Sequence, residues 1–344
     1  MALRLLFYLL NTKWWGQLEV NYYRSQNTVI PVAAAQKCSL PRFANETVAL
    51  LFHNAKILFN FKDFNDALIL LRESLNMDSF NVHLIDLCRR TLFQIGLREE
   101  SLKLLETSQR ILYTPEKSIE LARIYVANEQ NDLALAQLFD VLSQLVEDEA
   151  LLFETYKNIG CVYLKEKEFD LAQEYFHKAY AINASDDTLL VNLGVLEYLK
   201  KDITQSLFYL REAINNNQKN DKAWVGLAMA HLEFGDRDLS WSNLTKAIDV
   251  DPMNRTALIL LNDLAESDSQ LEFCQNALIK FLEGENFDEQ ISHLLIHIFI
   301  KRNDFHRAEL ESLKSYLWNP QSTKNQEIYN KITQFINVKE RGNS

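Results

Sequence analysis

Two stretches near the middle of the chain carry one pattern of apolar and polar positions. The first is YKNIGCVYLKEKEFDLAQEYFHKAYAIN, from Tyr156; the second is LLVNLGVLEYLKKDITQSLFYLREAINNN, from Leu189. Each holds two apolar runs of about 14 residues at a period near 3.6, as amphipathic helices require. A short polar turn such as Lys167-Glu168 or Lys201-Asp202 separates the runs. Asn158 and Asn192, Ile159 and Leu193, Gly160 and Gly194, Phe176 and Leu210, and Ala179 and Ala213 are each 34 residues apart. A third copy holds Trp224, Leu227, Ala228, Leu244, Ala247 and Pro252.

Extending the register outward gives a ladder of small residues: Ala67, Ser101, Ala134, Ala172, Ser206, Ser240, Cys274 and Ala308. Two antiparallel helices approach closely only where side chains are small. Gly160, Gly194 and Ala228 on first helices are therefore expected opposite Ala172, Ser206 and Ser240 on second helices. No single pair can bury its apolar faces alone, so units must stack. The interval from Ala134 to Ala172 is 38, four more than the period. The stretch LFDVLSQLVEDEALLFETY is expected to absorb these four as an extra turn of the second helix. Arg89, Asn262 and Ile296 stand where a small first-helix residue belongs, which predicts divergent or locally distorted units around them.

The fold class is thus all-α: a solenoid of stacked helix-turn-helix repeats with a short non-repeat N-terminal segment. Three domains are expected, with about eight repeats over 47–322. Residues 1–46 form an arm in which QLEVNYYR alternates like a strand and ALRLLFYLL is a candidate hairpin partner. Such a hairpin is marginal alone, so the arm must pack on the repeats, fill a groove or mediate self-association. Residues 323–344 form a capping helix with Ile328, Ile332, Phe335 and Ile336 on one face, followed by a tail.

Composition agrees with helices. Glycine numbers 8 and proline 5 in 344 residues, too few for the turns of a β-sandwich. The net charge is −11, and residues 1–46 hold five basic against two acidic side chains, leaving −14 on the rest. An acidic body repels phosphate backbones and argues against nucleic-acid partners. Cys38, Cys88, Cys161 and Cys274 are widely spaced, as free thiols in a reducing compartment would be. The start, MALRLLFYLLNTKWW, has too short an apolar run for a signal peptide, and no run suffices for a membrane span. A cytoplasmic protein is expected.

The 34-residue pattern resembles the tetratricopeptide repeat family, in which Trp, Leu, Gly and Tyr mark helix A and Ala, Phe and Ala mark helix B. The unit from Phe153 matches with Tyr156, Ile159, Gly160, Tyr163, Ala172, Phe176 and Ala179. The unit from Asp221 matches with Trp224, Leu227, Ala247 and Pro252, with His231 in place of Tyr. The resemblance implies a right-handed solenoid whose A helices line a concave, peptide-binding groove. On that face Lys157, Asn158, Cys161, Asn192, Val195, Lys222 and Met229 become candidate groove residues. Two arrangements of the family compete. In the carboxylate clamp of heat-shock co-chaperones, Lys157, Asn192 and Lys222 match, whereas Cys161 and Gly226 replace the second asparagine and the last basic residue. In the asparagine ladder of O-linked N-acetylglucosamine transferase, Asn158 and Asn192 are consecutive rungs; an amide both donates and accepts, so it can pair with a peptide group.

No catalytic set stands out: there is no phosphate loop, no G-x-S-x-G and no H-E-x-x-H. His293 and His297 are i,i+4, a spacing that two metal ligands could use, but they lack an evident third and read as groove histidines. No cofactor is expected. The reading is a non-catalytic protein-binding scaffold or adaptor that takes a partner peptide or domain in its groove. The alternative is a regulatory subunit of an enzyme, or a chaperone co-factor with an incomplete clamp.

Overall fold

The computed structural model describes residues 43–144, 147–283 and 287–342. The strand-like N-terminal arm and Cys38 lie outside the described residues, apart from 43–46 at the arm's end. The described residues fold as seventeen helices without strands. They divide into two units, one ending at Tyr113 and one starting at Thr114.

The first unit holds two antiparallel pairs, α1 (Glu46–Asn60) with α2 (Phe64–Met77) and α3 (Val82–Ile95) with α4 (Arg98–Ile111). Its core gathers Val48, Phe52, Leu71, Leu84 and Leu92. The second unit holds six pairs: α5 (Pro115–Ala127) with α6 (Asn131–Ser143), α7 (Glu149–Lys165) with α8 (Phe169–Ile182), and α9 (Asp187–Leu199) with α10 (Ile203–Asn216). After these come α11 (Asp221–Glu233) with α12 (Arg237–Val250), α13 (Arg255–Leu264) with α14 (Asp268–Leu282), and α15 (Glu289–Lys301) with α16 (Phe305–Trp318). A last helix, α17 (Thr323–Gly342), packs on α16 with Ile332 buried and Ile328 and Ile336 partly buried.

Local chemistry repeats with the fold. Every A helix, the odd-numbered member of its pair, starts at a side-chain cap. The caps Asp186, Asn220, Asn254 and Asp288 are spaced by 34, and Ser322 extends the series before α17. The series also joins successive pairs: Asn220 donates to Asp187 (2.8 Å) and Asn254 to Asp221 (2.6 Å). Each A helix except α13 ends in a residue of left-handed conformation: Lys62, Gly96, Glu129, Lys167, Lys201, Gly235 and Asn303. The following amide folds back onto the helix, as in Asp202 to Glu197 O at 2.9 Å, so last-turn carbonyls are satisfied within a tight turn.

The small-residue ladder is buried along its whole length, from Ala67 to Ala308. Gly160 and Gly194 meet their B helices at close range: a Cβ would stand 2.4 Å from the Phe176 ring at Gly160 and 2.6 Å from Leu210 at Gly194. Two expectations need correction. The four extra residues before Ala172 do not lengthen the B helix. α6 keeps 13 residues, whereas α7 has 17 and gains a turn at its own N-terminus, capped by Asp148. That cap satisfies the amides of Ala150 and Leu151, which lets the turn form ahead of the repeat register. Of the units predicted to be divergent or locally distorted, the one holding Asn262 is distorted. Its A helix has 10 residues and lacks the left-handed turn. The helices carrying Arg89 and Ile296 are regular, with 14 and 13 residues.

Within the second unit, successive A helices touch each other from α5 to α11, while B helices pack on their own A helix and on the next. The candidate residues lie on the A helices α7, α9 and α11.

Candidate functional site

The polar end of the face is built around α7. Arg123 on α5 donates from Nε to Asn158 Oδ1 (3.1 Å) and from Nη2 to Glu154 Oε2 (2.5 Å). Asn158 donates its amide to its own helix, to Glu154 O at 2.6 Å. Lys157 is enclosed: Nζ lies 2.8 Å from Glu154 Oε1, 3.5 Å from Asp186 Oδ1 and 4.5 Å from the centre of the Phe153 ring. Its side chain is only 13% exposed, so these partners meet it in a partly dry setting that strengthens them relative to a surface pair.

Asn192 on α9 donates to Cys161 Sγ at 3.2 Å, a weak acceptor. Burial pushes the Cys161 thiol up to about 11, even though Lys157 and Arg123 pull the other way, so it is a protonated, unreactive wall of the face. Val195 is half-buried against the α9–α11 core and Met229 against the core that follows. Lys222 is exposed on the first turn of α11.

Cys161 and Asn192 thus meet across α7 and α9, whereas Asn158 is committed to Glu154 and Arg123. Lys157 belongs to an ion-pair cluster within the fold. Val195 and Met229 lie on α9 and α11, and Lys222 makes no hydrogen bond or ion pair with the other candidates among the described residues. The position expected to carry the clamp's last basic residue is Gly226, where a Cβ would stand 2.6 Å from Leu210, so this backbone holds no side chain there without repacking. Sequence reasoning overlooked Arg123, Glu154 and Asp186. Asp186 was open to detection as the first member of the 34-residue cap series; Arg123 and Glu154 carry no periodic signal.

The paired histidines separate in role. His293 Nε2 lies 2.6 Å from Oδ1 of Asn325, a buried residue of α17, while His297 is exposed. No group of three or more candidate metal ligands occurs among the described residues.

One unit matches a known family: residues 153–186, the α7–α8 pair, fit the tetratricopeptide repeat model. The chain's stacked helix pairs have the architecture of tetratricopeptide repeat proteins, to which this unit and the solved structures below are similar. A curated relative, BBSome complex member BBS4 from Bos taurus, is 25% identical over 115 residues, which are 33% of this chain and 22% of that protein. The chain therefore aligns with less than a quarter of that relative's length. Among solved structures, a tetratricopeptide repeat protein from Parabacteroides merdae superposes with a TM-score of 0.60 at 14% identity, covering 74% of this chain and all of that one. Yeast Tom70 gives 0.59 at 14% identity, covering 82% of this chain and 60% of that one. At such identities the likeness establishes the fold. Tetratricopeptide repeat proteins are protein-interaction scaffolds. No helix among the described residues is long and apolar enough to cross a membrane.

Proposed function

We propose that this chain is a non-catalytic scaffold or adaptor that holds an extended segment of a partner protein against the A-helix face of α7, α9 and α11. The observation that carries this reading is Asn192. Its side chain is half-buried, and its one side-chain hydrogen bond among the described residues goes to Cys161 Sγ. An amide so placed can exchange a weak acceptor for the two complementary groups of a peptide unit. Asn158 is the second rung of this ladder and must release Glu154 O or Arg123 to serve. Lys222 supplies a charge at the edge, and Val195 and Met229 supply apolar contact.

The clamp alternative is less well supported, because Lys157 is occupied by Glu154 and Asp186 and the last basic position is Gly226. The test is affinity capture with the full chain, followed by titration of the captured partner's segment as a synthetic peptide. Replacing Asn158 and Asn192 together by alanine is expected to weaken binding at least tenfold, since each lost hydrogen bond is worth about 0.5–1.5 kcal/mol. Asn192→Ala alone should account for most of the loss. Full-strength binding by the double variant would overturn the ladder. Loss of binding on amidating the peptide's C-terminus, together with sensitivity to Lys157→Ala, would give the site to the clamp instead.

A further inference from the structure

The one irregular pair borders a cleft. Helix α13 stops at Leu264 and α14 starts at Asp268, with no left-handed turn between them. The missing end of α13 leaves a cleft of about 550 Å³ facing the α11–α12 turn. Its apolar walls are Phe234, 61% exposed at the end of α11, and Trp241, half-buried and edge-on to Phe273 at 6.0 Å. Its charged groups are Asp236, Asp238 and Glu266 against Arg237 alone.

That arginine is already engaged, with Nη2 at 2.7 Å from Glu266 Oε1 and 3.4 Å from Leu264 O. Asp236 spends one oxygen on the Leu239 amide that it caps. Asp238 has neither ion pair nor hydrogen bond among the described residues. Leu264, the last residue of α13, lines this cleft with its carbonyl oxygen turned toward Arg237, and helix C-termini favour cations. Aromatic faces attract cations too, Trp most strongly.

We propose that this notch is a docking point for a basic partner segment, seating an arginine or lysine side chain between Phe234 and Trp241 with its charge among Asp238, Asp236 and Glu266. Charge complementarity selects this occupant: the cleft carries three carboxylates to one guanidinium, and the body around it is acidic. The docking point is separate from the α7–α11 face, so it adds a second anchor rather than a variant of the first.

The probe is the peptide Ac-Gly-Arg-Ala-Arg-Gly-NH2, titrated into the full chain at physiological salt. The readout is the NMR signal of the Trp241 indole N–H, assigned by its disappearance in Trp241→Phe. The expected result is a saturable shift of that signal, weakened at least fivefold when citrulline replaces both arginines. Phe234→Ala and Asp238→Asn should each weaken it at least threefold; both side chains are exposed, so circular dichroism and Tm should stay unchanged. Asn192→Ala should leave the shift intact, which separates this site from the groove. Equal response to the citrulline peptide, or full response in both notch variants, would overturn the proposal. Self-association that Phe234→Ala abolishes, without any peptide response, would assign the notch to a second copy and overturn it as well.

Discussion

Gly160→Ala is the sharpest probe of how this repeat closes. A methyl group there would lie 2.4 and 2.5 Å from Cδ1 and Cε1 of Phe176. Carbon atoms in contact sit at about 3.5–4.0 Å, so the ring must retreat by roughly 1 Å. It has nowhere to go: Phe176 is fully buried in a core shared with Phe153, Ala172, Ala179, Leu189 and Leu193. Taken alone, Gly→Ala inside a helix gains about 0.8–1 kcal/mol. Overpacking a filled core costs about 1–3 kcal/mol and occasionally more. The net is expected to be a loss of up to about 2 kcal/mol, so that the propensity gain is at least cancelled. In a stacked array the loss should be local to the units around the change. Amide hydrogen exchange in α7, α8 and α9 is therefore the assay, with α15 and α16 as internal reference. Phe176→Leu should relieve the clash, so the double variant should be less destabilised than the two single losses combined, by at least about 1 kcal/mol. Stabilisation of Gly160→Ala by its full propensity gain, or additivity within about 0.5 kcal/mol, would refute the close approach.

Lys167 holds a φ of 64° in the α7–α8 turn, a region costly for residues with a Cβ; Lys167→Gly should raise local stability by about 0.5–1 kcal/mol in urea unfolding. Asn220→Ala should cost about 1–2 kcal/mol, because it removes both the cap on the Ala223 amide and the bond to Asp187; Asn220→Asp should keep the cap alone. Burial, helped by Arg211 and opposed by Asp236, holds His231 below its ordinary value of 6.5. The native state thus binds fewer protons than the unfolded chain in that window, so stability is complete above about pH 6.5 and falls as pH drops through the native value. His297, an exposed residue whose ring is partly desolvated by its neighbours, is lowered by that desolvation and by Lys301 and acts in the same direction. Urea midpoints at pH 7.5 and pH 5.0 should therefore differ less in His231→Gln than in the parent. Ala172→Leu should destabilise by about 1–3 kcal/mol, read as a lower Tm, since Ala172 is fully buried at the α7–α8 crossing.

The sequence by itself determined the repeat: its period, the polarity of each helix face and the small residues at each crossing. These are properties of spacing, and spacing is visible in one dimension because each pair contacts only its neighbours. Even outer rungs chosen without local support, such as Ala67 and Cys274, are buried as the register required. Tertiary structure alone decided where the irregularities went. The four extra residues could have joined either helix; Asp148 caps the longer α7, and a cap competes on a scale of about 1 kcal/mol that periodicity does not report. The shortening of α13 likewise follows from where Ser267 and Gln270 close a capping box, which starts α14 early. The candidate face shows the same division. Asn158 and Asn192 are equivalent in sequence, yet Arg123 and Glu154 occupy the first and leave the second to a weak sulfur contact. Arg123 reaches Asn158 across 35 residues that include the extra turn. A partner outside the repeat register carries no periodic trace, so only the folded arrangement could set these two amides apart.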